Sequence, residues 1–340
     1  MRSPFRFLAA VLASAAVVLA GCGSGQGADG APGANRPTVV VTTNILGNVV
    51  ENLVGDELQV VTIMPVGSDP HEFQASAQQV AQISAAHAVI ANGAEFEEGL
   101  LDVIESAAAD GVPIFEAIDG VETIEFGGGH PNEHNDEHDE HNDEHDEHDD
   151  EHDEHDDEHG HEGVDPHFFT DPSRMARAAD GIVAFLIANV DGVDARALEA
   201  NAASYIAELE SLDAEVETLL ATIPSDQRVL VTNHEVFGYF ADRYGFEVAG
   251  TIIPSGSTTD GADAKALAEL AELIEHQGVP AIFAETSSSA ELASTLAEEV
   301  GGIDVIELFS ESLGSDDSGG ATYVDMVRTN ANRIADALAG

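Results

Sequence analysis

One tract decides how this chain can fold: residues 130–163 hold ten histidines and eighteen Asp or Glu residues, with no Lys or Arg. A segment with so little apolar surface and so much like charge cannot bury a core, so we expect a solvated loop. The fold must therefore be built from the stretches on either side. Most of these histidines alternate steps of four and three residues, so a helix would align them on one face.

The composition of this tract predicts transition-metal binding. Imidazole suits zinc, copper, nickel and cobalt, and carboxylates attract any divalent cation. Without metal, the acidic neighbours would repel one another and destabilise a helix. A solvated acidic linker that merely contains histidine is the alternative. The predicted accessory metal ligands are His130, His134, His138, His141, His145, His148, His152, His155, His159 and His161.

The first residues predict export and lipid attachment. Arg2 and Arg6 precede an apolar run at residues 7–19, which is typical of a signal peptide and too short to span a bilayer as a stable helix. Cys22 is the only cysteine, so an internal disulfide is impossible. Its position directly after residues 19–21 resembles the bacterial lipobox, whose cysteine becomes the lipid-modified N-terminus. Ordinary cleavage that leaves a free thiol is the alternative.

The net charge of −54 limits the possible partners. Nucleic acid is excluded, because a binding face needs clustered basic residues and Lys265 is the only lysine. An acidic surface keeps an exported protein soluble and concentrates cations near it. It is equally typical of a protein from a saline medium.

The two remaining stretches predict an α/β fold. Short apolar runs alternate with helical stretches on both sides of the tract, a pattern typical of parallel sheets flanked by helices. Between them, two helical segments at 172–189 and 194–223 follow one another with no strand. We therefore expect two α/β lobes joined by a helical connection, with a cleft where the carboxyl ends of the strands face each other. The predicted strands are 38–42, 58–63, 86–91, 112–115, 229–232, 247–252, 281–284 and 303–308.

The predicted domain organisation follows these elements. It consists of a signal peptide (1–21), a lipid-tethered flexible linker (22–36), an N-terminal α/β lobe (37–129), a disordered loop rich in His, Asp and Glu (130–163), a metal-site segment of the N-terminal lobe (164–171), a connecting helix (172–193) and a C-terminal α/β lobe (194–340).

Four side chains are candidates for a site in the cleft. His71 follows a predicted strand, His167 lies where the acidic tract meets the helical connection, and His234 and Glu311 follow two strands of the second lobe. Strand and loop ends are the usual positions of functional residues. Three imidazoles and one carboxylate suit a four-coordinate zinc site.

These segments resemble the metal-specific solute-binding lipoproteins of ABC importers, the cluster that handles zinc and manganese. The resemblance runs from about residue 37 to the C-terminus, and its motifs occur in the family's order. The matching stretches are Gly67-Ser68-Asp69-Pro70-His71-Glu72-Phe73, Asp165-Pro166-His167, His234-Glu235-Val236-Phe237-Gly238-Tyr239-Phe240, Glu311-Ser312-Leu313-Gly314 and Thr322-Tyr323-Val324-Asp325-Met326-Val327-Arg328-Thr329-Asn330.

The resemblance implies a function and an architecture. In that family a long rigid helix joins the lobes, and the metal lies between them, held here by His71, His167, His234 and Glu311. The histidine-rich loop, and His234 where manganese-type members carry a carboxylate, indicate the zinc type. The implied protein is a monomer, lipid-anchored on the outer face of the cytoplasmic membrane, that delivers Zn²⁺ to an ABC permease and its ATPase subunit.

Several alternatives remain open at this point. The family usually has Asp at the position of Glu311, so Glu285 and Glu72 are alternate ligands, and Asp165 and Asn233 are candidates to orient the ligand imidazoles. A manganese-type importer protein and an extracellular zinc buffer acting through the tract are alternative functions. A zinc hydrolase is disfavoured, because four ligands would close the metal shell and the sequence has no His-Glu-x-x-His motif.

Overall fold

The computed structural model describes residues 36–127 and 163–339. The N-terminal lobe contains a four-stranded sheet in the order β2-β1-β3-β4, and every pair in it is parallel. A parallel sheet needs crossover connections, and helices supply them on its faces. The elements of this lobe are β1 (Thr38–Val41), α1 (Asn44–Val54), β2 (Gln59–Thr62), α2 (Ala77–Ser84), β3 (Ala88–Ala91), α3 (Leu101–Ala109) and β4 (Ile114–Glu116).

The C-terminal lobe repeats this topology. Its sheet has the order β6-β5-β7-β8 and is also parallel throughout. The two sheets therefore each present a row of strand carboxyl ends. Its elements are β5 (Val229–Thr232), α6 (Gly238–Tyr244), β6 (Glu247–Thr251), α7 (Ala264–Gln277), β7 (Ala281–Glu285), α8 (Glu291–Glu299), β8 (Asp304–Leu308) and α9 (Tyr323–Leu338).

Two long helices connect the sheets: α4 (Pro172–Asn189) and α5 (Ala195–Leu220). Each begins where an Asp side chain accepts hydrogen bonds from the free N–H groups of the first turn, Asp171 for α4 and Asp194 for α5. A proline at the first position of α4 costs no hydrogen bond there. Helix α5 packs against α4, α1 and α9, so it contacts both lobes.

The main apolar core is continuous across the two lobes. One cluster of buried side chains includes Val41 and Leu46 of the first lobe, Met175 of α4, Leu209 of α5 and Tyr323 of the second lobe. Smaller clusters lie on the outer faces of the two sheets. Because well-packed cores resist deformation, this shared core limits the movement of one lobe against the other.

The structure confirms the predicted fold class. Each predicted strand is present, with ends that differ by at most two residues, and the two central helices are in place. The leader and Cys22 lie outside the described residues, as does nearly all of the acidic tract. In the ranges that are described, the helices are too short or too polar to cross a membrane.

Candidate metal centre

Four side chains from separate segments converge in the cleft. His71 lies beyond β2, His167 precedes a 3-10 turn that leads into α4, and His234 and Glu311 lie just beyond β5 and β8. One nitrogen or oxygen atom from each of the four lies within 4.8 Å of all the others. The arrangement follows from the topology, since the carboxyl ends of parallel strands lie at one edge of each sheet.

The three imidazoles direct the same ring atom towards one carboxylate oxygen. The Nε2 atoms of His71, His234 and His167 lie 2.8, 3.2 and 3.4 Å from Glu311 Oε1. The ligand atoms of a tetrahedral zinc ion are about 3.3 Å apart, given metal–ligand bonds of about 2.0 Å. Glu311 Oε2 is buried and has no hydrogen-bond partner among the described residues. The four groups therefore fit a small, closed cation site.

Each imidazole is held from behind by a second carboxylate. His167 Nδ1 lies 2.7 Å from Asp165 Oδ1, His71 Nδ1 lies 3.1 Å from Glu98 Oε1, and His234 Nδ1 contacts Glu285 Oε1. A carboxylate at Nδ1 favours the tautomer with its proton on that nitrogen, which leaves the Nε2 lone pair for a metal. The three histidine–carboxylate pairs together orient the three rings around Glu311.

The site is almost sealed from water. His71 is 4% exposed, Glu311 is 1% exposed, and His167 and His234 are fully buried. Phe96 packs edge-on against the rings of His71 and His167. Burial of this kind strengthens every electrostatic interaction with a bound cation.

The buried charges shift one another's protonation. Burial alone would raise the pKa of Glu311, but the imidazoles of His234, His71 and His167 hold it well below its ordinary value. Burial alone would lower the pKa of His234, yet Glu285 and Glu311 raise it well above 6.5. The pKa of His167 is also raised, because Asp165 and Glu311 outweigh burial and the neighbouring His234. Without metal, the raised pKa values of His167 and His234 and the lowered pKa of Glu311 favour imidazolium–carboxylate pairing among these three groups.

Two residues weighed as alternate ligands lie elsewhere. The carboxylate of Glu285 contacts Nδ1 of His234, on the side of the ring that faces away from Glu311. Glu72 is exposed, and its backbone N–H is 3.4 Å from Asp69 Oδ1. Neither belongs to the group of four that the described residues bring together.

The two residues expected to orient imidazoles behave differently. Asp165 contacts the ring of His167, as expected from its position two residues earlier. Asn233 does not take the corresponding place beside His234. Its Nδ2 donates to Ser288 Oγ at 3.0 Å, because Nδ1 of His234 is already occupied by Glu285.

Sequence reasoning missed Glu98 as an imidazole partner. It lies on the loop that follows β3, where the buried carboxylate of Glu97 accepts hydrogen bonds from Thr42 Oγ1 at 2.5 Å and from the backbone N–H of Asn92 at 2.6 Å. These bonds fix the loop that carries Phe96 and Glu98 to the site. The only sequence signal is the position of this loop after a predicted strand.

The accessory histidines predicted at 130–161 and the lipidation residue Cys22 lie outside the described residues.

Comparison with known proteins identifies the relatives of this chain. The family model described as zinc-uptake complex component A, periplasmic, matches residues 39–337. The manganese-binding lipoprotein MntA of Halalkalibacterium halodurans is 26% identical over 339 residues, covering 98% of both chains. The zinc-binding protein TroA of Treponema pallidum is 27% identical over 351 residues, again covering 98% of both. The chain is thus similar over its whole length to proteins named for two different metals.

Solved structures share the fold. The periplasmic zinc-binding protein TroA from Treponema pallidum superimposes with a TM-score of 0.72 at 26% identity, covering 89% of this chain and 99% of that one. A manganese-bound periplasmic metal-binding protein from Candidatus Liberibacter asiaticus superimposes with a TM-score of 0.71 at 20% identity, which supports the fold alone.

Proposed function

The chain belongs to the family of periplasmic zinc-uptake complex component A, the metal-binding, substrate-binding components of ABC importers, and from this premise we propose that its cargo is Zn²⁺. The family consists of transport proteins, so the protein is a binding protein and not an enzyme. His71, His167, His234 and Glu311 are the proposed ligands.

One observation carries this proposal. Three Nε2 atoms and one carboxylate oxygen converge in a nearly dry cleft, and each imidazole is backed by a carboxylate at Nδ1. A metal-bound imidazole with a carboxylate on its other nitrogen is a common arrangement in zinc sites. Four carboxylates, those of Glu311, Asp165, Glu98 and Glu285, surround the three imidazoles, so the cluster attracts a divalent cation.

The donor set favours zinc over manganese. Zn²⁺ is stable with four nitrogen and oxygen ligands in a tetrahedron, whereas Mn²⁺ prefers more ligands, mainly oxygen. The second oxygen of Glu311 is the only other carboxylate atom of the four ligands, and the walls of the site include the ring of Phe96. A six-coordinate ion would use both oxygen atoms of Glu311 and still need a further ligand atom inside a nearly dry cleft.

The proposed setting is outside the cytoplasm. The family is described as periplasmic and several relatives are named lipoproteins, which supports anchoring on the outer face of the membrane. We propose Cys22 as the lipid-bearing residue and residues 23–36 as the tether. A monomer would carry zinc to an ABC permease, and an ATPase subunit would supply the energy.

Calorimetric titration with Zn²⁺ and Mn²⁺ tests the proposal. The protein from residue 23 onwards is compared with the same protein lacking residues 131–160. One tight zinc site in both forms, which Mn²⁺ does not displace at equal concentration, is the expected result. A preference for Mn²⁺ would identify a manganese carrier. Loss of tight zinc binding on deletion would instead support a buffer that acts through the acidic tract.

A further inference from the structure

His71 is held differently from the other two imidazoles. The carboxylates behind His167 and His234 are buried, with side chains 2% and 1% exposed, whereas the Glu98 side chain behind His71 is 38% exposed. Glu98 Oε1 also accepts a hydrogen bond from Ser257 Oγ of the opposite lobe, at 2.6 Å. A single oxygen atom therefore joins a metal ligand of one lobe to a hydroxyl of the other.

A second hydrogen bond crosses the cleft beside it. Asp69 Oδ1 accepts from the backbone N–H of His71 at 2.9 Å, while Asp69 Oδ2 accepts from Thr258 Oγ1 at 2.6 Å. The ring and the backbone of His71 are thus each one carboxylate away from neighbouring hydroxyls of the second lobe. Hydrogen bonds to ionised carboxylates are the stronger kind.

The loop that carries these hydroxyls, residues 255–259, is held in a conformation that brings it against the first lobe. Ser255 Oγ accepts from the backbone N–H of Ser257 at 3.1 Å, and Ser255 O accepts from the backbone N–H of Glu235, the residue after His234. A Cβ added at Gly256 would overlap the ring of Phe126, so this loop needs glycine to pass the first lobe. The 255–259 loop therefore contacts both sides of the site.

We propose that Glu98 is a positioning residue that couples capture of the metal at His71 to closure of the 255–259 loop, through the hydroxyl of Ser257. The inference rests on the proposed function and adds a regulated ligand to it. A metal at Nε2 makes the Nδ1 proton a better donor and strengthens its bond to Glu98, which then holds the loop. Movement of the loop away from the cleft releases Glu98, so the ring of His71 is freed before the rings of His167 and His234.

The test measures zinc release into excess chelator from the full-length mature protein. The variants are Glu98→Ala, Ser257→Ala, the double variant and Glu95→Ala, which removes an exposed carboxylate from the same loop as Glu98. We expect zinc release about tenfold or more faster in Glu98→Ala, as for other partners of metal ligands. Release should be about fivefold faster in Ser257→Ala, which loses the hydrogen bond to Glu98 and the contacts of the same hydroxyl with Thr259. The double variant should resemble Glu98→Ala, and Glu95→Ala the wild type.

A second measurement uses the metal-free protein. Amide hydrogen exchange in the 255–259 loop should be faster in Glu98→Ala than in the wild type and unchanged in Glu95→Ala. Glu98→Gln keeps an accepting oxygen and should fall between Glu98→Ala and the wild type in both assays. Unchanged release in Ser257→Ala, or multiplicative effects in the double variant, would overturn the coupling. Failure of the wild type to bind one zinc ion would instead overturn the proposed function.

Discussion

The same tripeptide, Asp-Pro-His, occurs twice at the site, at residues 69–71 and 165–167, and the two copies are connected differently. In both, the Asp Oδ1 accepts from the backbone N–H of the histidine two residues later, at 2.9 Å. Asp165 uses this same oxygen to hold the ring of its own histidine. Asp69 leaves the ring of His71 to Glu98 and turns its other oxygen towards Thr258.

Burial explains the difference between the two tripeptides. Asp165 is 2% exposed, and its backbone carbonyl accepts from the hydroxyl of Tyr239 at 2.7 Å, so its segment is fixed from both sides. Asp69 is half-buried at the edge of the cleft, where the second lobe can reach it. The two copies share the same turn, and their positions in the fold determine whether the aspartate is enclosed in the core or bonded across the cleft.

Removal of either histidine should have the largest effect. The histidines of both tripeptides direct Nε2 towards Glu311 Oε1, so His167→Ala and His71→Ala should weaken zinc binding to a similar extent. The loss should be roughly 100- to 1000-fold, because four-ligand zinc sites average about 3 kcal/mol per ligand. Competition with a chelator of known affinity measures this, and the exposed His87→Ala is the control. A much smaller loss in His71→Ala would mean that only the buried tripeptide binds the metal.

Replacement of the aspartate should weaken zinc binding more in the tripeptide at 165–167 than in the one at 69–71. Asp165→Asn removes the charge behind His167, and we expect zinc affinity to fall by about 10- to 100-fold. Asp69→Asn keeps an oxygen for the backbone of His71 and does not touch its ring, so its loss should stay below about tenfold. Titration calorimetry at one pH compares them. Equal losses would contradict the distinction between an enclosed aspartate and one bonded across the cleft.

The sequence singles out the four candidate ligands, but not all of the side chains that contact their rings. His71, His167, His234 and Glu311 follow from positions at strand ends and from the family resemblance. Glu98 does not, because its contact depends on how a loop returns to the site and nothing distinguishes it among 65 acidic residues. Asn233 does not contact the ring of His234, because consecutive side chains leaving a strand point to opposite sides. The ring of His234 therefore meets a residue 51 positions away, Glu285.

Proton release on zinc binding should report on His167 and His234, the two imidazoles whose partner carboxylates are buried. The pKa values of His167 and His234 are raised in the metal-free protein, so zinc must displace a proton from each ring at any pH below these raised values. Zinc affinity should therefore rise with pH, by up to about tenfold per pH unit for each proton released, and the rise should continue above about 6.5 until the raised pKa values are passed. Calorimetry in buffers of different ionisation enthalpy counts the protons.

The same experiment connects this pH effect to the tripeptide at 165–167. In Asp165→Asn the pKa of His167 should move down, so fewer protons should leave when zinc binds at pH 6.5. Asp69→Asn is the matched control, and its proton count should equal that of the wild type. The prediction fails if the wild type releases no protons at pH 6.5, or if the proton count falls equally in both variants.

The smallest effects should come from removing one hydroxyl beside each tripeptide. One removal should change the unfolding free energy, and the other should change the rate of zinc release. Thr170 Oγ1 donates to the backbone carbonyl of His167 at 3.0 Å inside the core, whereas Thr258 Oγ1 donates across the cleft to Asp69. Thr170→Val removes one of the two hydrogen bonds that the His167 carbonyl accepts, the other coming from the backbone N–H of Thr170, so the unfolding free energy of the metal-free protein in urea should fall by about 1 kcal/mol, with zinc release unchanged. Thr258→Val should leave the unfolding free energy within about 0.5 kcal/mol of the wild type, because its site is partly exposed, and should speed zinc release about threefold. Release rates that change in Thr170→Val and not in Thr258→Val would place the control of zinc release at the buried tripeptide instead.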